Sequence, residues 1–120
     1  MTGERFLRLS AKRQERVIAE IVAGKRSPLI PGLEAAVCAM AAEQKLFADS
    51  VARSRIVGRY REAQAEQLRR MTPEERLLRY RKGRLTAYQG SVWESEFPKE
   101  IPRVNGIPEW RARHSADVVG

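Results

Sequence analysis

The side chains able to do covalent or acid–base chemistry are few and scattered. His114, Ser115 and Asp117 supply the residue types of a nucleophilic triad, but they crowd into the C-terminal tail. A catalytic base must be fixed within hydrogen-bond reach of its nucleophile, and a frayed tail fixes nothing. Cys38 lies among alanines, Val37 and Met40, an apolar context in which a thiol is expected to be an inert core residue. The acid pair Glu74 and Glu75 reads as helix capping, and Glu94 with Glu96 as a solvated face. Asn105-Gly106 is a turn signal with neither the spacing nor the lysine of a phosphate loop. A single cysteine and a single histidine exclude an intramolecular disulfide and a Cys- or His-rich zinc cluster. The expectation is a non-enzymatic chain with no catalytic residue, no metal ligand and no cofactor.

Binding chemistry is better represented. The net charge is +8, distributed as +4 over residues 1–30, −2 over 31–52, +7 over 53–84 and −1 over 85–120. Such a field attracts polyanions. The basic residues are 18 Arg against 5 Lys, and the planar guanidinium suits phosphate, although a GC-rich coding sequence gives the same bias. The densest cationic stretch is Arg76, Arg79, Arg81, Lys82 and Arg84, with Tyr80 interleaved, and these five are the expected nucleic-acid contacts. A helix, a turn at Gly83 and a second helix across 73–97 have the outline of a helix-turn-helix. The second helix argues against sequence-specific reading: it contains Glu94 and Glu96, no basic residue, and only Gln89 to meet a base edge. Along 53–70, Arg55, Arg59, Arg69 and Arg70 oppose the apolar stripe, but Glu62 and Glu66 fall among them. That is a salt-bridged, solvated face. A backbone-binding patch needs charge and no code, so non-specific contact is the favoured form.

Two other partner classes have candidates. Trp93, Phe97 and Trp110 are large anchors of the kind found at protein interfaces, unless a core this small takes them itself. Arg5, Arg8, Lys12, Arg13 and Arg16 beside Phe6 and Leu9 could lie on an anionic membrane surface, although no Trp is present there.

The elements that must position these residues read as helices almost throughout. Ser10 is the expected cap of a helix carrying Val17, Ile18, Ile21 and Val22 and ending at Gly24. Phe6, Leu7 and Leu9 belong either to an earlier turn or to the same helix begun near Thr2. From Pro31 the residues Leu33, Val37, Met40, Gln44, Phe47 and Val51 alternate in steps of four and three, a heptad seam with one polar member. A monomeric core explains that seam as well as a homo-oligomer through Leu33, Val37, Met40, Phe47 and Val51. The core reading is preferred, because coiled coils sustain three to four heptads. A second stripe, Val57, Tyr60, Gln64 and Leu68, is out of phase with the first, which predicts a kink or break between Asp49 and Gly58. Thr72-Pro73-Glu74-Glu75 and Thr86 with Gln89 are capping boxes. They open helices that stop at Gly83 and before Pro98, the latter with Tyr88, Val92, Trp93 and Phe97 on one face. Gly90 inside it costs about 1 kcal/mol relative to Ala, suggesting a tight contact.

After Pro98 the texture changes. Pro98, Pro102 and Pro108 oppose helix, and Ile101, Val104, Ile107 and Trp110 recur every third residue, as in an extended strap. Val104-Asn105-Gly106-Ile107 also carries a type I′ hairpin signal. In that hairpin Val104 and Ile107 form the hydrogen-bonded pair, and Pro102 cuts the ladder short. The pattern W-x-x-x-F-P-x-E-I-P-x-V-N-G-x-x-E-W, from Trp93 to Trp110, resembles a recurring C-terminal stretch of small uncharacterised actinobacterial proteins. That resemblance implies an origin and no mechanism.

The expected fold is all-α: one helical domain over 1–120 with about four helices and a Pro-rich extended C-terminal strap. Its segments are an N-terminal helix (1–26), a long or kinked helix (31–70), a capped pair (72–97), and strap with tail (98–120). The longest wholly apolar run, Ala35 to Ala42, is far short of a membrane span of ~20 residues. With no signal-like N-terminus, a cytoplasmic location is expected.

Overall fold

Thr2 and Ser10 each punctuate the N-terminal region. In the computed structural model, which describes the backbone of residues 1–44 and 47–112 and the side chains of 1–39 and 55–112, both are N-caps. Thr2 Oγ1 accepts from the Arg5 amide, opening α1 (Gly3–Leu7), and Ser10 Oγ accepts from the Arg13 amide, opening α2 (Ala11–Val22). The earlier turn is therefore a helix of its own. The Gln14 side-chain amide donates to the Phe6 carbonyl at 3.1 Å, beside the Leu9 amide that bonds the same oxygen, and so ties α2 to the end of α1. Gly24, at φ +76°, closes α2. The Lys25 and Gly24 amides donate to the Glu20 and Ile21 carbonyls in a Schellman arrangement.

The residue 31–70 stretch forms two helices, α3 (Leu33–Gln44) and α4 (Phe47–Arg69). This corrects the expected break between Asp49 and Gly58, through which α4 runs without interruption. The first stripe is divided between two helices that fold against each other: Leu33 to Gln44 lie on α3, and Phe47 and Val51 lie on α4 with the second stripe. Arg61 of α4 donates to Glu34 at the start of α3, at 3.0 Å, which makes the pair antiparallel. The expected count of about four helices becomes six α-helices with described bounds and one 3₁₀ turn, and residues 109–112 are helical as well.

Chain contacts divide the protein into two compact units, Met1–Arg70 and Met71–Gly120. The division falls at the boundary between the 31–70 and 72–97 segments. The core of the first unit gathers Phe6, Val17, Ile21, Ile30, Leu33, Val37, Tyr60 and Ala63. Leu33 and Val37 thus belong to the unit's own core and are not open to a second copy. Met40, Phe47 and Val51 lie outside the residues whose side chains are described. Cys38 is exposed, which corrects the expectation that it is a core thiol: Leu33 and Val37 turn inward, and Cys38, one residue on, rotates out by 100°.

Two polar side chains of α4 hold this core to the connection after α2. Gln67 is buried and donates to the carbonyls of Ile21 (2.9 Å) and Arg26 (3.1 Å). The Tyr60 hydroxyl accepts from the Ile30 amide at 2.8 Å, and burial pushes its pKa above that of a free phenol. At the other end, Gly3 lets α1 lie directly on α3. A Cβ there would stand 2.3 Å from the Leu33 Cα.

The second unit contains α5 (Pro73–Arg81), α6 (Ala87–Glu96), a 3₁₀ turn over Pro98–Glu100 and a two-stranded ribbon, β1 (Arg103–Val104) with β2 (Ile107–Pro108). Thr72 Oγ1 accepts from the Glu75 amide, and at Thr86 both halves of the capping box form with Gln89. Gly83, at φ +66°, ends α5 in a second Schellman arrangement, with the Arg84 amide on the Arg79 carbonyl. The extended strap is replaced by the 3₁₀ turn and the hairpin. Asn105 (φ +53°) and Gly106 (φ +81°) take the left-handed conformations of a type I′ turn, with Val104 opposite Ile107. The next ladder position keeps one bond, from the Glu109 amide to the Pro102 carbonyl (2.8 Å), because Pro102 has no N–H to return. No helix among the described residues is long and apolar enough to cross a membrane.

Replacing Gly3 with alanine should cost about 1–3 kcal/mol, because the added methyl meets backbone that cannot rotate away. A urea unfolding midpoint measured beside wild type gives the comparison; an unchanged midpoint would mean that α1 does not seat on α3 as described.

Candidate functional site

Arg76 stands one turn before Tyr80 on the inward face of α5, and only 4% of it is exposed. A guanidinium stays charged in proteins, so burying it demands a carboxylate. Glu100, from the 3₁₀ turn, supplies one. Arg76 Nε and Nη2 donate to its two oxygens at 2.8 Å each, and Nη1 donates to the Met71 carbonyl. The Phe97 ring lies under the guanidinium, 3.9 Å from ring centroid to the central carbon. The Trp93 indole N–H donates to the same Glu100 carboxylate at 3.1 Å. The hydrogen bond from Arg76, with help from Trp93 and the Arg76 charge, holds the Glu100 carboxyl below the usual carboxylate range.

This cluster rearranges the expected site. Arg76 is withdrawn from the nucleic-acid set: a buried guanidinium already held by a carboxylate cannot meet a phosphate. Trp93 is fully buried, and Phe97 is half-buried beneath Arg76. Neither is an open anchor. Trp110 is half-buried, with its ring 5.5 Å from Tyr80 and 6.1 Å from Trp93. Gln89, the one base-edge candidate of α6, is fully buried with its side chain on the Thr86 amide. The base-reading role that the helix-turn-helix outline gave it has no exposed group to act through.

The remaining cations sort by whether a carboxylate holds them. Arg81 donates to both oxygens of Glu109 at 2.8 Å. Arg79, Lys82 and Arg84 have no ion pair among the described residues, and Lys82 and Arg84 are exposed. On α4, Arg59 pairs with Glu15, Arg61 with Glu34, Arg69 with Glu62 and Arg70 with Glu66. The salt-bridged face expected of residues 53–70 is present in these pairs.

Beside the aromatic rings lies a cleft of about 260 Å³ lined by Tyr80, Leu85, Gly90, Trp93, Glu94 and Trp110 among others. It falls just below the roughly 300–1,000 Å³ of small-molecule sites. A Cβ on Gly90 would meet nothing within 4 Å, so this glycine borders open space and fits no tight contact. Glu94 on its wall is paired with Arg111 at 2.7 Å. The Tyr80 hydroxyl is buried with no hydrogen-bond partner among the described residues. His114, Ser115 and Asp117 lie outside the described residues.

Compared with known protein families, with curated proteins and with solved structures, the chain matches none.

Sequence reasoning missed Glu100, the acid that organises the unit. The signal available was a lone carboxylate between Pro98 and Pro102, flanked by apolar Phe97 and Ile101.

Two outcomes are expected here. Glu100→Gln leaves Arg76 buried without a counter-charge and should cost about 3–5 kcal/mol at neutral pH. Because the native carboxyl titrates lower than a free one, its contribution is complete above the ordinary glutamate value of about 4.3 and fades as pH falls through and below it. Melting temperatures of wild type and variant should therefore converge in acid; a gap independent of pH would count against the ion pair. Gly90→Ala should raise stability by about 0.5–1 kcal/mol, read from the same denaturant titration.

Proposed function

We propose that the chain is a small, basic, non-enzymatic binding protein that contacts nucleic acid through arginine-rich surface without strong sequence specificity. The observation that carries this reading is the charge remaining after ion pairing. At the end of α5, Arg79, Lys82 and Arg84 lack a carboxylate among the described residues, and Arg81 beside them shares Glu109 at the surface. Charge without a base-reading helix fits backbone contact, which supplies essentially all of non-specific affinity. No catalytic group, cofactor or metal enters the proposal.

A second reading, a helical protein–protein adaptor, draws on a different observation. The second unit exposes Leu77, Leu78 (52%), Val104 (47%) and Ile107 (49%). Val104 and Ile107 face each other across the hairpin. Trp93 does not contribute, being internal.

The test is fluorescence anisotropy with a generic duplex and a generic single strand across a salt series. Log Kd should be linear in log salt on the duplex. Replacing Arg79, Lys82 and Arg84 together with glutamine should reduce the slope by about 2–3, at 0.9 per phosphate contact. Absence of binding at low salt would rule the reading out and favour the adaptor.

A further inference from the structure

The densest cationic stretch of the sequence is not where the structure leaves most positive charge free. Between residues 55 and 84, six arginines sit on carboxylates: Arg59, Arg61, Arg69, Arg70, Arg76 and Arg81. On α1, its C-cap Arg8 and α2 the opposite holds. Arg5, Arg8, Lys12, Arg13 and Arg16 are all exposed, and none has an ion-pair partner among the described residues. The acids nearby do not cancel them. Glu15 is held by Arg59 and Glu20 by Arg26, leaving Glu4 as the unpaired acid of these two helices.

From these placements we infer that the first unit carries a phosphate-backbone binding site of its own on the outer face of α1 and α2. The inference rests on the nucleic-acid reading above and adds to it a second, more highly charged contact surface. Taking Lys12 as zero and 100° per residue, Arg16 falls at 40° and Arg13 at 100°, while the buried Val17 and Ile21 fall at 140° and 180°. Lys12 and Arg16 point away from the core, with Arg13 at the flank. The helix rise puts Lys12 and Arg16 about 6 Å apart along the axis. Arg8 and Lys12 are separated by four residues, at most about 14 Å of chain. Lys12 and Arg16 lie within a Debye length of about 8–10 Å at ordinary salt and reinforce one another.

The scarcity of apolar surface among these cations selects the partner class. Phe6, which on sequence could dip into a membrane beside them, is 2% exposed and belongs to the core. Leu9 also packs against that core. Among the described residues the exposed large apolar side chain next to these cations is Met1 (43%), before the start of α1; none lies on α1 or α2 themselves. A membrane-surface helix needs an apolar face to bury, and a protein interface needs an anchor at its centre. A face of cations alone meets the needs of a phosphodiester backbone.

The test compares two triple variants of the full chain on the same duplex and salt series. Arg8→Gln, Lys12→Gln and Arg16→Gln together should lower the log–log slope by about 2.7 and weaken binding at 50 mM salt by more than tenfold. Melting temperature should stay unchanged, because none of the three makes an internal contact. The α5 triple, Arg79, Lys82 and Arg84 to glutamine, is measured alongside. If wild type binds and only the α5 triple weakens it, the α1–α2 site is wrong while the nucleic-acid reading stands. If wild type binds no duplex at low salt, both are wrong. Vesicles of phosphatidylserine and phosphatidylcholine form a further arm. Binding to those vesicles, without duplex binding and lost in the α1–α2 triple, would assign the face to a membrane and overturn the inference.

Discussion

A guanidinium that cannot lose its charge has been placed inside the second unit, and much of that unit answers to it. Arg76 requires a carboxylate at bonding distance, and the nearest in sequence, Glu74 and Glu75, point outward from the first turn of α5. Glu100 meets the need from the far side of α6 in sequence. The chain after Pro98 must therefore return to α5 in a 3₁₀ turn and cannot run on as a strap. Trp93 and Phe97 then find their places around the same pair, one donating to Glu100 and the other lying against Arg76. Three features that look separate in the sequence, a basic run, an aromatic helix and a proline-rich tail, are one polar cluster in the fold.

Ion pairing also decides which charges remain available to a partner. Counting residues assigns +7 to residues 53–84 and +4 to residues 1–30. Surface pairs contribute little stability, with a median near 0–1 kcal/mol, yet each removes a cation from the pool that could meet a phosphate. Arg59 and Arg61 of α4 meet glutamates of α2 and α3, and Arg69 and Arg70 meet glutamates of their own helix. Those of α1 and the start of α2 meet none among the described residues. Linear charge density and free surface charge therefore point to different parts of the chain.

How far the sequence discloses this depends on whether the deciding contact is local. Most helix ends were legible: Ser10, Thr72 and Thr86 cap their helices through bonds spanning three residues, and Gly24 and Gly83 close them with left-handed backbone, whereas the separate helix opened by Thr2 was left open by the sequence. The hairpin register followed from Asn105-Gly106 and the missing N–H of Pro102. The inversion on α5 was not legible. Hydropathy puts Leu78 inside and Arg76 outside, whereas Leu78 is 52% exposed and Arg76 is buried, because the acid that permits this lies 24 residues away. The hairpin of α3 and α4 escaped for a related reason. A broken hydrophobic register looks the same in sequence whether one helix bends or two helices fold together, and contacts such as Arg61 with Glu34 join residues too far apart for the register to reveal.

The two units present different surfaces, and for a physical reason. The first unit turns its large apolar side chains on α1 and α2 inward and shows cations, a surface that attracts charge of opposite sign and discriminates little beyond that. The second unit turns a cation inward and shows leucines, valine and isoleucine, with Arg79, Lys82 and Arg84 nearby in sequence. Apolar side chains held at the surface gain from being covered, and cations beside them would steer an acidic or phosphate-bearing partner into contact. Burying Arg76 thus has a consequence beyond stability. By occupying the inward face of α5 with a polar cluster, it leaves Leu77 and Leu78 on the outside, where a partner can reach them.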